Sequence, residues 1–397
     1  MRYKALHLAA MMLLVPLFLG AQEYPSCVHS DRSRIYRNEG DGLKAFYDKL
    51  DRYWLYNDGE VCVWHLGDSH LQAEYLPDRM RRDFTSSRPD LRFTRGLLFP
   101  YSAAGTNYLG DYRISLSGNW TFSSLLKPGN DLIGISGRLA KTTDLNPGIT
   151  LQMNASGGTG YSFNLLRVFG YSDVPGTTLT ARINGIEYRA VETSYGYEFH
   201  FNGLTESVEI SISMPTSGQF ALSALAPDYD GPAFRYISSG VNGAEVCQWN
   251  RCNLLMTEVA CFKPDLVIIG LGTNDAVVRK GTFNSSKFKS DYAVLINSIR
   301  SMSPGCAIIL VPSNDIFLRG VNNVWNNEVE KSVYEIAAEN GAAIWDWLDV
   351  MGGLGSMNEW LSAGLAAKDR IHLNKEGYTI VADLFYKAVM DDYISGK

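Results

Sequence analysis

Short segments that lie far apart in the chain carry the side chains that acyl transfer requires. Ser69 lies in a Gly-Asp-Ser-His sequence directly after the apolar run Val61–Leu66. Asp369 and His372 lie near the end of the chain, three residues apart. A hydroxyl, an imidazole and a carboxylate can serve as the nucleophile, the base and the group that orients the base. We therefore predict Ser69, His372 and Asp369 as the catalytic residues of an exported serine esterase.

Two further segments offer donors for the oxyanion that such a reaction forms. Asn274 follows the apolar run Asp265–Leu271, and its amide can donate a hydrogen bond to a developing negative charge. Gly243 has no Cβ, so its backbone N–H can approach a reacting centre closely. Both segments also fit ordinary turns, because Asn and Gly favour them. The predicted oxyanion hole consists of the Ser69 N–H, the Gly243 N–H and the Asn274 side chain.

Strands and helices alternate on both sides of a different middle region. The apolar runs Val61–Leu66, Asp265–Leu271 and Ala307–Val311 are typical of strands buried on both faces of a parallel sheet. Amphipathic segments between them predict helices, as in a three-layer α/β/α domain. Catalytic residues at the carboxyl ends of such strands would face the crevice where open α/β sheets bind ligands.

The middle region lacks helical periodicity and is rich in Gly, Ser, Thr and Asn. Asn184-Gly185 separates two alternating segments, which predicts a β-hairpin with a type I′ turn. The segment Val208–Met214 alternates apolar and polar residues like a half-buried strand. Several such strands predict a β-sandwich. The predicted divisions are a signal peptide at 1–21, one α/β domain formed by 22–111 and 231–397, and an inserted β-sandwich module at 112–230.

The amino terminus and the composition indicate where the protein acts. Arg2 and Lys4 precede an apolar stretch that ends in small residues, which predicts a signal peptide cleaved after Ala21 and export to the periplasm or beyond. A membrane anchor is the alternative, but the stretch is shorter than the roughly 20 residues a spanning helix needs. The formal net charge of −6 and the absence of a basic cluster argue against a nucleic-acid partner. No membrane insertion is expected after cleavage.

Other enzyme classes fit the sequence less well. Asp68 and His70 form the Asp-x-His pattern of a metallophosphoesterase, but the further His-rich metal motif of such enzymes is absent from the chain. No Gly-x-Ser-x-Gly elbow of an α/β-hydrolase lipase occurs either. Cys247 and Cys252 could form a disulfide, although spacing alone cannot fix the pairing. We expect no metal and no cofactor, and the sequence leaves the oligomeric state open.

The ordered segments resemble the four blocks of the SGNH (GDSL-type) hydrolase superfamily. The match is carried by Gly-Asp-Ser-His at 67–70, by Gly243, by Gly-Thr-Asn-Asp at 272–275 and by Asp-x-x-His at 369–372. The fourth residue of the first block is His where the family name has Leu. The resemblance implies that Ser69 is the nucleophile, His372 the base and Asp369 its orienter. It also implies that Gly243 and Asn274 complete the oxyanion hole.

A β module between the first and second blocks is similar to the Ape-type bacterial peptidoglycan O-acetylesterases, whose inserted module is carbohydrate-binding-like. This resemblance implies an acetylated glycan substrate, with peptidoglycan first and a polysaccharide such as acetylated xylan as the alternative. A glycan-binding protein with an inactive hydrolase domain is the alternative from another class. Aromatic residues of the module could stack on sugars or simply fill its core; they are Trp120, Tyr161, Tyr171, Tyr188, Tyr195 and Tyr197.

Overall fold

The computed structural model describes residues 23–40, 42–154, 160–277 and 282–396. The predicted signal peptide, residues 1–21, lies outside the described residues. None of the described helices is both long enough and apolar enough to cross a membrane. The helices are α1 Leu43–Tyr56, α2 Ser69–Gln72, α3 Tyr75–Ser87, α4 Val246–Trp249, α5 Leu255–Val259, α6 Ser285–Met302, α7 Trp325–Asn340, α8 Trp347–Met351, α9 Met357–Ser362 and α10 Lys375–Ser395.

The strands alternate with these helices at the two ends of the chain and follow one another without helices in the middle. In chain order they are β1 Ile35–Tyr36, β2 Val61–Gly67, β3 Phe93–Thr94, β4 Tyr112–Ser117, β5 Thr121–Ser124, β6 Arg138–Thr142, β7 Gly148–Met153, β8 Phe163–Ser172, β9 Thr178–Ile183, β10 Ile186–Arg189, β11 Val191–Thr193, β12 Gly196–Thr205, β13 Ser207–Ser213, β14 Phe220–Asp228, β15 Phe234–Gly240, β16 Leu266–Gly270, β17 Ala307–Leu310, β18 Phe317–Leu318, β19 Val321–Asn322 and β20 Ala343–Trp345.

The largest sheet has the order β1-β20-β17-β16-β2-β15-β3 among the described residues. Its strands run parallel except β1, which pairs antiparallel with β20 at one edge. The sheet was expected to be parallel, but it is mixed. The antiparallel strand β1 was not predicted, because two residues are too few to show a strand pattern in the sequence. One face packs against α1, α3 and α10, and the other against α6 and α7. These helices make the predicted α/β/α layers.

Several helices begin earlier than their apolar periodicity indicates. Apolar residues repeat at helical spacing from Tyr292 onward, but α6 starts at Ser285, where Asn284 accepts a hydrogen bond from the Lys287 N–H at 3.0 Å. A polar first turn carries no apolar repeat, so the capping residue rather than the periodicity marks the start of the helix. After Ser69, Glu74 adopts a left-handed φ of 67° that separates α2 from α3.

The middle region forms two antiparallel sheets. One has the order β10-β9-β13-β7-β4 and the other β11-β12-β8-β14-β6-β5. The hairpin predicted at Asn184-Gly185 is present, with φ values of 49° and 80° at the two turn residues. Exposed and buried residues alternate along β13, as predicted. Apolar side chains such as Leu151, Phe199 and Ile210 fill the space between the sheets.

Strand β14 of the second sheet is buried on both faces. One face belongs to the sandwich core, and the other packs on the apolar cluster of the parallel sheet, so every residue of β14 is buried. Leu125, Ile135 and Phe169 share one apolar cluster with Trp64 and Val241 of the α/β region. The antiparallel strands span Tyr112–Asp228, close to the predicted insertion at 112–230. The division into separate domains stays a prediction, and the shared cluster joins the two regions closely.

Two expectations about individual side chains can now be compared with the fold. All six cysteines are free thiols, so Cys247 and Cys252 do not pair. Six aromatic residues of the module were considered for sugar stacking. Of these six, Tyr197 is buried in the sandwich core, and the other five are partly exposed and pack against apolar clusters. Their placement favours the structural interpretation over a sugar-stacking platform.

Candidate active site

Three neighbouring parallel strands end at the same level of the sheet and place the predicted segments side by side. Gly67, the last residue of β2, pairs in register with Gly240 of β15 and with Gly270 of β16. Gly240 also permits close contact, because a Cβ there would lie 2.7 Å from the backbone nitrogen of Gln72. Real Cβ atoms do not approach backbone so closely, so α2 could not pack here on any other residue. Ser69 therefore enters the crevice beside the loops that follow β15 and β16.

The structure brings Ser69, His372 and Asp369 into one hydrogen-bonded chain. His372 Nε2 lies 2.8 Å from Ser69 Oγ, and His372 Nδ1 lies 2.7 Å from Asp369 Oδ2. Both separations are within the range of strong hydrogen bonds. Ser69 and His372 are partly exposed and Asp369 is exposed, so the site is open to solvent. A substrate can therefore reach the hydroxyl without a conformational opening.

Asp369 is fixed in the geometry that an orienting carboxylate needs. Its Oδ1 accepts hydrogen bonds from the backbone N–H of Ile371 at 2.9 Å and of His372 at 3.0 Å. Partial burial opposes its charge, but the hydrogen bonds from the His372 ring and from these N–H groups outweigh it and lower the pKa of Asp369. The carboxylate stays ionised and can hold the Nδ1 proton of His372, leaving Nε2 to accept the serine proton.

The predicted backbone donors of the oxyanion hole have no partner among the described residues. Ser69 begins α2, and no acceptor contacts its N–H. Gly243 lies in a solvent-exposed turn with φ of 83°, and its N–H likewise has no acceptor in that part of the chain. Both groups are thus available to a ligand, although their role stays a prediction.

The Asn274 amide is already engaged. Its Nδ2 donates to Asp68 Oδ2 at 3.2 Å and to the carbonyl oxygen of Ala244 at 3.0 Å. Asp68 is completely buried, and that burial raises its pKa to about 6 despite a hydrogen bond from the His70 N–H. Asn274 can donate to an oxyanion only by exchanging one of these acceptors. The longer contact, to Asp68, is the weaker of the two.

His70 packs beside His372, the predicted base. It is buried, its Nδ1 lies 2.8 Å from the hydroxyl oxygen of Tyr378, and its ring centre lies 5.3 Å from that of His372. Burial lowers the pKa of His70 to about 3, so its imidazole is neutral. A neutral ring beside His372 adds no charge repulsion when His372 takes up a proton. His65 is also buried and bonds Tyr236, as its strand position suggests.

Gln72 is a functional candidate that the sequence does not single out. It is 1% exposed, and its Oε1 accepts hydrogen bonds from the Asn242 N–H at 2.8 Å and from Arg138 Nη2 at 2.6 Å. Its Nε2 donates to Thr106 at 2.6 Å and to Asn107 at 2.9 Å. Gln72 thus joins the helix of Ser69 to the turn that precedes Gly243 and to the β module. Only its place one turn after Ser69 could have hinted at this.

A family comparison matches part of the chain. Residues 214–380 match the model of the GDSL-like lipase/acylhydrolase family. The matched range includes the segments of Gly243, Asn274, Asp369 and His372 but not Ser69. The matched range begins within the last part of the β module, and the fold alone brings Ser69 to the other segments. A comparison with curated proteins found no match.

Comparison with solved structures confirms the predicted fold class. A structure of a peptidoglycan O-acetylesterase has a TM-score of 0.75 at 21% identity, covering 91% of this chain and 99% of that chain. At this identity the likeness establishes the fold, including the place of the inserted sheets. The acetyl xylan esterase AlAXEase is 20% identical, over 39% of this chain and 81% of that chain, with a TM-score of 0.32. Axe2, an acetylxylan esterase from Geobacillus stearothermophilus, is 21% identical, over 40% of this chain and 73% of that chain, with a TM-score of 0.30.

Proposed function

Because residues 214–380 match the model of the GDSL-like lipase/acylhydrolase family, we propose that this protein is an exported serine esterase that removes O-acetyl groups from peptidoglycan. One observation carries the proposal above the others. The unbroken contact from Ser69 Oγ through the His372 ring to Asp369, with separations of 2.8 and 2.7 Å, is the arrangement that activates a serine hydroxyl. Export rests on the amino-terminal sequence alone.

The first half-reaction transfers the acetyl group to the enzyme. Ser69 Oγ attacks the carbonyl carbon of the acetyl ester while His372 Nε2 takes the hydroxyl proton. The resulting oxyanion accepts hydrogen bonds from the Ser69 and Gly243 N–H groups and from Asn274. The tetrahedral intermediate collapses as His372 returns the proton to the sugar oxygen. The products of this step are a free sugar hydroxyl and acetyl-Ser69.

The second half-reaction releases acetate. A water molecule gives its proton to His372 Nε2 and attacks the acetyl carbon of acetyl-Ser69. The same donors hold the second oxyanion, and its collapse returns the proton to Ser69 Oγ. Throughout both steps Asp369 keeps the proton of Nδ1 in place, which stabilises the imidazolium without itself taking the proton. No step requires a metal or an organic cofactor.

The choice of peptidoglycan over other glycans is supported by architecture. A peptidoglycan O-acetylesterase structure shares the fold over 91% of this chain, including the inserted sheets. The module lies against the loop of Gly243, where it can contact the sugar that carries the ester.

Acetate release is the decisive measurement. Wild-type protein and Ser69→Ala would be incubated with O-acetylated peptidoglycan, acetylated xylan and a small aryl acetate. We expect wild type to release acetate fastest from peptidoglycan and Ser69→Ala to release none above the uncatalysed rate. Activity of wild type in EDTA should be unchanged, because the serine mechanism uses no metal. A metallophosphoesterase-like site would lose its metal to EDTA and with it the activity.

The other outcomes separate the alternatives. Near-wild-type acetate release by Ser69→Ala would rule out the assigned nucleophile. Faster release from xylan than from peptidoglycan would replace the substrate but keep the mechanism. Glycan binding without hydrolysis of any of the three substrates would identify an inactive, glycan-binding protein.

A further inference from the structure

Arg138, from the β module, lies beside the candidate active site and has no acidic partner among the described residues. Its Nη2 donates to Gln72 Oε1 at 2.6 Å, and the same oxygen accepts the N–H of Asn242. Gln72 is one helical turn from Ser69, and Asn242 is adjacent to Gly243. The guanidinium therefore lies one side chain away from both the nucleophile helix and the predicted oxyanion loop.

The charge of Arg138 is not neutralised within the described residues. Its Nε is enclosed and has no hydrogen-bond acceptor, and no carboxylate forms an ion pair with the guanidinium there. The guanidinium carbon lies 5.8 Å from the ring centre of Tyr101, a contact that supplies no negative charge. A guanidinium remains protonated under all ordinary conditions, so partial burial without an anion is costly. Arg138 also keeps partial exposure, so a ligand can reach it.

The backbone holds Arg138 at this place by a close contact between the two regions. Gly137 has φ of 67°, and a Cβ there would lie 2.5 Å from Val241 Cγ2 and 2.8 Å from the Trp249 ring. Ser136 accepts the Arg138 N–H at 3.1 Å and donates to the Ser223 carbonyl at 2.5 Å. The start of β6 is thus pressed against the loop that follows β15. Arg138 is fixed at the rim of the site rather than free to leave it.

We propose that Arg138 binds a carboxylate of the substrate next to the acetylated sugar, so that the enzyme prefers acidic glycans over neutral ones. A carboxylate matches the fork of N–H donors on a guanidinium and would supply the missing counter-charge. The inference rests on the proposed esterase function and narrows its substrate. Peptidoglycan offers the lactyl carboxylate of the acetylated sugar where no peptide is attached, and the carboxylates of the peptide where that lactyl group is amide-linked to one, whereas an unsubstituted xylan backbone offers neither.

The test compares acetylated sugars with and without a carboxylate, and the matched pair is the lactyl acid and its carboxamide. The substrates are 6-O-acetyl-N-acetylmuramic acid, its muramyl dipeptide, the lactyl carboxamide of the same sugar and 6-O-acetyl-N-acetylglucosamine. For wild type we expect kcat/KM to be about 10- to 100-fold higher for a carboxylate-bearing substrate than for the neutral sugars, the range of a charged hydrogen bond. The first two substrates distinguish the lactyl source from the peptide source. The preference should shrink as salt concentration rises.

Variants assign the preference to Arg138. In Arg138→Met the ratio of acidic to neutral kcat/KM should collapse to about one, and Arg138→Lys should restore part of it because the positive charge remains. Arg189→Met removes an exposed arginine from β10, and it should keep the wild-type ratio. A parallel loss on acidic and neutral substrates in Arg138→Met, with the ratio preserved, would show that Arg138 only positions Gln72 and would overturn the inference.

A measurement on unaltered protein covers the case in which Arg138→Met does not fold. N-acetylmuramic acid or muramyl dipeptide, whichever carries the recognised carboxylate, should inhibit wild-type hydrolysis of an aryl acetate at least tenfold more strongly than the lactyl carboxamide does. Equal inhibition by the acid, the dipeptide and the carboxamide would contradict the inference while leaving the esterase proposal intact. Failure of wild type to release acetate from every substrate would instead contradict the proposed function itself.

Discussion

The hydrolase region is built on a mainly parallel sheet and the β module on two antiparallel sheets. The two regions make different contributions to the candidate active site. The hydrolase sheet is parallel over β20, β17, β16, β2, β15 and β3. Three of its adjacent strands, β16, β2 and β15, end at the same level, and the predicted catalytic loops follow them. The module's sheets are antiparallel and contribute none of the predicted catalytic residues. The module's closest contributions are Arg138 and Leu126, the latter 3.7 Å from the position of a Cβ on Gly243.

The direction of the strands explains why the predicted catalytic residues lie in the hydrolase region and not in the module. Parallel strands bring their carboxyl ends to one edge, so residues from distant segments meet there. Antiparallel hairpins send alternate ends in opposite directions, so the module presents faces rather than a shared crevice. One of those faces packs on the hydrolase sheet and buries β14 completely. We therefore expect substitutions in the hydrolase loops to change catalysis, substitutions in the outer module to change little, and substitutions at their contact to change stability.

The largest contrast should come from one histidine in each region. His372→Ala removes the base, and kcat should fall by roughly 10⁴-fold or more because the serine hydroxyl is no longer activated. His200→Ala in the module removes a surface ring that contacts Glu198 at 2.7 Å, and kcat should not change. Aryl acetate kinetics with a thermal unfolding scan would test both. A His372→Ala enzyme that keeps a tenth of wild-type kcat would contradict the division of roles.

Asn274→Ala should have the next largest effect. If its amide exchanges an acceptor for the oxyanion, kcat should fall about 10²–10³-fold with KM nearly unchanged, as for other lost oxyanion donors. Because Asn274 also holds Asp68 and the Ala244 carbonyl, unfolding must be measured with the kinetics. A lowered unfolding free energy with normal kcat would assign Asn274 to holding these two groups, and the oxyanion role would be lost.

A pair of glycines sharpens the contrast at the contact. Gly137 and Gly185 both have positive φ, 67° and 80°. A Cβ on Gly137 would collide with Val241 and Trp249, whereas one on Gly185 meets no atom within 4 Å. Gly137→Ala should lower the free energy of unfolding by about 3 kcal/mol, from strain and overpacking together. Gly185→Ala should cost about 1 kcal/mol from backbone strain alone.

Urea unfolding of the two alanine variants would decide between the regions. Gly137→Ala should also lower kcat, because the displaced Val241 loop carries Gly243, whereas Gly185→Ala should keep wild-type kinetics. Equal losses of stability in the two variants would mean that the module is not pressed against the hydrolase loop as described.

The last prediction is a pH dependence of stability at the same contact. Glu258, on α5, is 1% exposed and accepts hydrogen bonds from the Ile135 N–H at 2.6 Å and from Ser223 Oγ at 2.9 Å. Burial raises its pKa to about 7. Between its unfolded pKa of about 4.3 and pH 7, the unfolded chain loses this proton first. Stability of wild type therefore falls through that range as pH rises, by up to about 1.4 kcal/mol per pH unit.

Glu258→Gln removes the titration while keeping both hydrogen bonds through its amide oxygen. The stability of Glu258→Gln relative to wild type should therefore rise from pH 5 to pH 7 and level off above it. Glu209→Gln changes an exposed carboxylate of β13 and should show no such trend. Parallel stability curves for wild type and Glu258→Gln from urea titrations at pH 5, 6, 7 and 8 would show that Glu258 is ionised at neutral pH in the folded protein.

Features that repeat or cluster along the chain were predictable. The buried strands β2, β16 and β17 are continuous apolar runs, and the Asn184-Gly185 hairpin follows from the φ angles its turn requires. In contrast, β15 was missed, because Arg235 and two serines break its apolar pattern. Arg235 is buried there only because Asp228 accepts from its Nε at 2.8 Å. From the sequence alone, a charged residue within a strand is expected to be exposed to solvent. Only the structure shows the partner that allows it to be buried.

The same limit applies within the site. Residue types and order were enough to propose Ser69, His372 and Asp369, since few side chains can form such a set and their motifs are local. The roles of Gln72, Arg138 and His70 could not be read from the chain, because each depends on atoms contributed by a distant segment. Local patterns carry the identity of reactive groups and the period of each element. The distances between those groups, the burial that shifts their pKa values and the docking of the module come only from packing the folded chain.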